Sequence, residues 1–120
     1  MKKRAIVVSA LAAILVSSWV AAQGGPGNPT RGQALYGQHC VRCHGMSGDG
    51  TGPDGRFLVV APTNFRSRQF QLNTDLEVLM SISQGVAYSP MHAWRGRLTD
   101  EEMRGLISYL RMFSSFVPIS

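Results

Sequence analysis

Cys40, Val41, Arg42, Cys43 and His44 form a C-x-x-C-H run that brings two thiols and an imidazole into five consecutive residues. On a helical turn, residues i, i+3 and i+4 share one face, so all three side chains can meet a single flat macrocycle. This is the pattern of c-type haem attachment: the thiols add to two vinyl groups as thioethers, and the imidazole offers the iron a neutral ring nitrogen. Three other chemistries draw on the same residue types. The cysteines could close an ordinary disulfide in an exported protein. They could act as a redox C-x-x-C pair, which belongs with a thioredoxin-like βαβ pattern that this chain lacks. They could also join a structural zinc site, which needs four ligands at finger-like spacing, and His39 and His92 are not spaced to complete one.

The amino end favours the haem reading. Lys2, Lys3 and Arg4 precede an apolar run from Ala5 to Val16, and Val20, Ala21 and Ala22 supply small side chains before Gln23. That is the pattern of a secretory signal peptide over residues 1–22, cleaved before Gln23, and it implies a periplasmic protein. Left uncleaved, the stretch would serve as a membrane anchor; nothing after Gln23 is long and apolar enough to span. The full chain of 120 residues carries a formal charge of +5, but part of this belongs to the leader. Beyond residue 22 there are nine arginines, no lysine and seven acids, a net charge of +2. They are scattered rather than gathered into a basic stripe, which excludes a nucleic-acid-binding surface. A domain of this size buries a modest core and leans on a disulfide, metal or cofactor.

The elements that must position the motif read as α-helices. Thr30 with Gln33, Thr74 with Glu77, and Thr99 with Glu102 each make a capping-box pattern. The first opens a helix running into the C-x-x-C-H motif. The second opens a helix with Leu76, Leu79 and Met80 on one face, stopped at Gly85. The third opens a helix with Met103, Leu106, Ile107 and Leu110 at i, i+3, i+4 and i+7. Between them, Gly45 to Gly55 holds five glycines and one proline, a loop composition that should wrap rather than repeat. Residues 23–29 read as a flexible lead-in and 30–115 as one all-α domain, with no internal repeat.

From Thr30 to Phe113 the chain resembles a class I (monohaem, soluble) cytochrome c. Gly32 and Tyr36 stand eight and four residues before Cys40, like the small and aromatic residues of that family's N-terminal helix. Leu106 and Tyr109 match the partner positions of its C-terminal helix. The resemblance implies the small cytochrome c fold, three or more helices around one covalently bound haem c, with the two terminal helices crossing at a glycine. It also implies that Pro53, in the Gly52-Pro53 step, accepts a hydrogen bond from His44, which would orient the ligating ring.

Ser89, Pro90, Met91, His92, Ala93 and Trp94 resemble the family's methionine loop, which implies Met91 as the second axial iron ligand opposite His44. His92 departs from the family pattern, standing where proline usually follows the methionine. Imidazole is itself an iron ligand, so bis-histidine coordination through His92 stays open. Met46 lies too close to His44 to reach across the ring, and Met80 and Met103 sit on helical apolar faces. His39 reads as a packed or surface side chain.

With both axial positions filled there is no open site for substrate, and what remains is one-electron exchange, at a potential raised by thioether ligation. The implied function is a periplasmic electron carrier between redox donor and acceptor proteins, without enzymatic activity of its own. Such encounters bury under about 1,200 Å², with Arg42, Arg95 and Arg97 as candidate rim or propionate contacts. Two alternatives differ in class. One is a subunit of a larger oxidoreductase, which Phe65, Phe70 and Phe116 would support if they formed one exposed patch. The other is a haem enzyme or gas sensor with a labile sixth ligand.

Overall fold

The computed structural model describes residues 25–114, and the leader expected over residues 1–22 lies outside them. The elements are α1 (Pro29–His39), α2 (Val41–His44), a 3₁₀ turn (Gly55–Phe57), α3 (Arg68–Leu72), α4 (Asp75–Gln84) and α5 (Asp100–Ser114). No strand occurs among the described residues, so the architecture is all-α as expected. None of the described helices is long and apolar enough to cross a membrane.

Helix α1 begins one residue before the expected cap. The N-cap is Asn28, whose side-chain oxygen accepts from the backbone N–H groups of Thr30 (2.9 Å) and Arg31 (3.2 Å). Pro29 occupies the first turn, where its missing N–H costs nothing. The Thr30–Gln33 pair is therefore not the capping box. Within the expected lead-in of residues 23–29, Gly27 packs against the backbone of Arg104 and Gly105, and Pro29 belongs to α1. The other two boxes form as expected. Thr74 N–H donates to Glu77 Oε2 (2.6 Å) while Glu77 N–H donates to Thr74 Oγ1 (3.2 Å), and Thr99 and Glu102 do the same at 3.0 and 3.2 Å.

Helices α1 and α5 form the frame. They cross where Gly32 meets Gly105, so closely that a Cβ on Gly32 would run into the Gly105 backbone. From this crossing Tyr36 reaches Tyr109 and Phe113, each at 5.4 Å between ring centroids. Met103, Leu106, Ile107 and Leu110 are all buried, as the periodicity of α5 requires. Arg31 adds an ion pair to Glu102 at 2.7 Å across the two helices.

Helix α4 buries a different face from the one expected. Val78 and Ile82 are buried and Leu79 half-buried, whereas Leu76 and Met80 are exposed. The short helix α3 inserts Phe70 into the core and is held from α5 by Arg111, which donates to the carbonyl of Asn73 (2.7 Å) and to Asp75 Oδ1 (2.9 Å). Phe65 and Phe70 lie in this core at 7% and 4% exposure, so they form no surface patch. Phe116 lies outside the described residues.

Candidate functional site

The C-x-x-C-H run makes one helical turn, with the N–H groups of Cys43 and His44 both directed to the Cys40 carbonyl (3.2 and 2.9 Å). Gly45, at φ +81°, ends the turn, and the Tyr36 hydroxyl donates to its carbonyl at 2.6 Å. Burial, with Cys40 and Tyr109 nearby, raises the Tyr36 pKa well above the ordinary phenol value, so it stays a donor. The following loop wraps back as its composition predicts. Gly50 N–H donates to the His44 carbonyl (2.9 Å), Gly52 N–H to Cys43 (3.1 Å) and Asp54 N–H to Arg42 (2.9 Å). Arg42 Nε closes the loop with an ion pair to Asp54 Oδ2 at 2.8 Å.

His44 is oriented by a carbonyl, but not the one expected. Its Nδ1 lies 3.1 Å from the Thr63 oxygen, whereas Pro53 is exposed and its neighbours Gly52 and Asp54 are occupied with the motif backbone. The loop returns past the ring ten residues later than the Gly52-Pro53 step. The tautomer that donates Nδ1–H to Thr63 leaves Nε2 free as a lone-pair ligand, the arrangement in which an acceptor behind the ring fixes its direction. Burial lowers the His44 pKa, while the Thr63 hydrogen bond acts in the opposite sense, and the net shift is downward.

His44, both thiols, Met91, His92 and Trp94 line one cleft of about 240 Å³. Helix α4 contributes apolar wall through Val78 and Ile82, and Met91 arrives on the loop that follows α4. That loop is closed on itself. Val86 N–H donates to the Met91 carbonyl (2.9 Å) and Met91 N–H to Ser89 Oγ (3.1 Å). Gly85, at φ +74°, presses against the backbone of residues 91–93, an approach that a side chain would block. Met91 is half-buried against the core.

These features bear on the competing chemistries. Cys40 and Cys43 are not joined as a disulfide. Burial first, and Cys43 second, push the Cys40 thiol up to about 11. Among the described residues no three His, Cys, Asp or Glu side chains converge on a point where one metal ion could sit, so the zinc reading finds no ligand set. The two thiols and the imidazole instead line one cleft, as attachment to a single macrocycle requires.

Comparison with known proteins agrees. Residues 27–110 match the family described as "Cytochrome C oxidase, cbb3-type, subunit III". The chain belongs to the class I monohaem cytochrome c family. This cytochrome is 28% identical over 79 residues to cytochrome c6 of Chlorolobion braunii, covering 66% of this chain and 83% of that protein. Among solved structures it is similar to the KustC0563 c-type cytochrome, with TM-score 0.59, 31% identity, and coverage of 68% of this chain and 95% of the other. It is also similar to a chain of the Kuenenia stuttgartiensis reducing HAO-like protein complex Kustc0457/Kustc0458, with TM-score 0.64 and 30% identity. There it covers 74% of this chain but spans only 44% of the neighbour.

The cofactor of this electron-transport family is one covalently attached haem c, and the residues present fit it: two thiols, a free imidazole nitrogen and a thioether around an apolar cleft. Two contributors escaped sequence reading. Thr63 acts through its backbone carbonyl, which leaves no signature in residue type. Phe65 stacks on His44 with 4.6 Å between centroids, and only its place in the fold distinguishes it from a surface aromatic. Of the candidate rim arginines, Arg42 is paired with Asp54, Arg95 Nε donates to Ser83 Oγ at 3.0 Å, and Arg97 is exposed.

Proposed function

We propose that this cytochrome is an exported, periplasmic carrier of single electrons in which Cys40 and Cys43 form the thioethers and His44 and Met91 are the axial ligands. The observation that carries the reading is the presence of all four side chains on one cleft. Bound haem supplies a one-electron couple. The chain's own residues hold that couple in a fixed setting. Thr63 and Phe65 orient His44, the closed loop from Val86 to Met91 presents the thioether, and the apolar side chains Val78, Ile82 and Trp94 keep water from the cleft. With a protein ligand on each face, no position is left for substrate or gas.

Met91→Ala in the haem-loaded protein tests the assignment. The expected result is loss of the thioether signature in the absorption and magnetic circular dichroism spectra, with an open high-spin or a bis-histidine spectrum in its place. An unchanged ligand spectrum would sink the assignment. A second reading, service as a subunit of a larger oxidoreductase, is supported by the likeness to a chain of the HAO-like complex. Purification from the native source at its native mass tests it: a lone chain argues for the free carrier, a stable assembly for the subunit.

A further inference from the structure

Two iron-binding side chains, Met91 and His92, are neighbours in the chain and line the same cleft. Imidazole suits iron well, so a haem-loaded protein that uses Met91 must keep His92 away. We propose that Trp94 is the positioning residue that does this, holding the His92 ring on its indole and so reserving the sixth position for Met91. The inference rests on the Met91 assignment proposed above.

The geometry favours Trp94 on three counts. The His92 ring lies 4.6 Å from the Trp94 ring at 38°, and residues two apart in a non-helical segment can project to one side, which turns His92 toward Trp94. Trp94 itself is a fixed plate. Its side chain is buried at 8% exposure, and its main chain is held at both ends: the backbone N–H donates to the Ile82 carbonyl (3.0 Å), and the backbone carbonyl accepts from the N–H groups of Arg97 (2.9 Å) and Leu98 (3.0 Å). Third, Met91 is pinned on both sides of its backbone by Ser89 and Val86. The exposed His92 ring makes no hydrogen bond among the described residues, so ring packing is what directs it. His39 packs on the same indole at 5.0 Å and 51°, so Trp94 engages both histidines that line the cleft beside it. Aromatic faces hold flat rings by offset or tilted contact, and an aliphatic side chain of similar bulk does not. Without the indole, a ring-nitrogen lone pair of His92 can replace the Met91 sulfur, one metal–sulfur bond exchanged for one metal–nitrogen bond with no electron transferred.

The test uses the full haem-loaded protein and four variants: Trp94→Leu, Trp94→Phe, His92→Asn, and Trp94→Leu with His92→Asn. Near-infrared magnetic circular dichroism identifies the ligand pair, and a redox titration gives the potential. Wild type, Trp94→Phe and His92→Asn should all keep the thioether signature. Trp94→Leu should lose it, acquire a bis-imidazole spectrum and titrate at a lower potential, and the double variant should recover the thioether. A folded Trp94→Leu protein with the thioether intact would overturn the role of Trp94. So would a double variant that stays bis-imidazole, which would make His39 the invading ring. A wild type already showing two imidazoles, one of them lost in His92→Asn, would instead overturn the Met91 assignment. Should Trp94→Leu not fold, nuclear Overhauser contacts between the His92 and indole ring protons in the reduced wild type decide the matter: their presence supports the stack and their absence overturns it.

Discussion

The imidazole of His44 lies nearly parallel to the ring of Phe65, with 4.6 Å between centroids and 21° between planes. Phe65 also contacts Tyr36, Phe70 and Phe113, so one buried ring connects the candidate ligand to α1, α3 and α5. Phe65→Ala is expected to cost about 3–5 kcal/mol, the usual range for deleting a buried aromatic ring. Denaturant unfolding of the haem-loaded protein measures it. A loss comparable to a surface substitution would mean that the His44 contact is incidental.

The crossing of α1 and α5 gives a paired prediction. Gly32→Ala places a Cβ against the Gly105 backbone, and such overpacking costs about 1–3 kcal/mol. Gly37, on the same helix, has nothing within 4 Å of its would-be Cβ, so Gly37→Ala should gain about 0.5–1 kcal/mol from helix propensity. Thermal unfolding of the two variants should therefore shift in opposite directions.

Tyr36→Phe keeps the aromatic packing but deletes the 2.6 Å hydrogen bond to Gly45. The carbonyl that ends the C-x-x-C-H turn then loses its buried donor, at a cost of about 1–3 kcal/mol. Urea unfolding gives the loss, and faster amide exchange at Gly45 and Gly48 would localise it.

The Glu102 carboxyl is held below its ordinary pKa, first by the Thr99 backbone N–H and then by the Arg31 side chain. Because the folded value is depressed, this contribution is present above the unfolded pKa near 4.5 and lost as pH falls through the folded value. Glu102→Gln should be less stable than wild type at pH 7, with the two curves converging in acid. Unfolding midpoints across a pH series test this, and a difference that grows on acidification would contradict it.

Local signals carried much of this structure. The boxes at Thr74 and Thr99 need only residues three apart, and they form as the sequence predicts. At α1 the same reasoning chose Thr30 over Asn28, although Pro29 already marked an earlier start. Helix α4 offered two apolar sets, Leu76 with Met80 and Val78 with Ile82. Propensity cannot choose between them, and packing against the rest of the core did. The site divides in the same way. Cys40, Cys43 and His44 lie within five residues of one another, and the role proposed for them rests on that spacing. The partner of His44 was misassigned to Pro53 because a backbone acceptor is set by the path of the loop, and any residue type at position 63 could supply that oxygen.

The meeting of Gly32 with Gly105 joins the two ends of the domain. A ribosome makes residue 105 long after residue 32. Until α5 emerges, Leu35 and Tyr36 lack the surface that buries them, and the turn carrying both thiols lacks its frame. The nascent chain thus leaves Cys40 and Cys43 without that frame for most of its synthesis, and gains it only when α5 arrives.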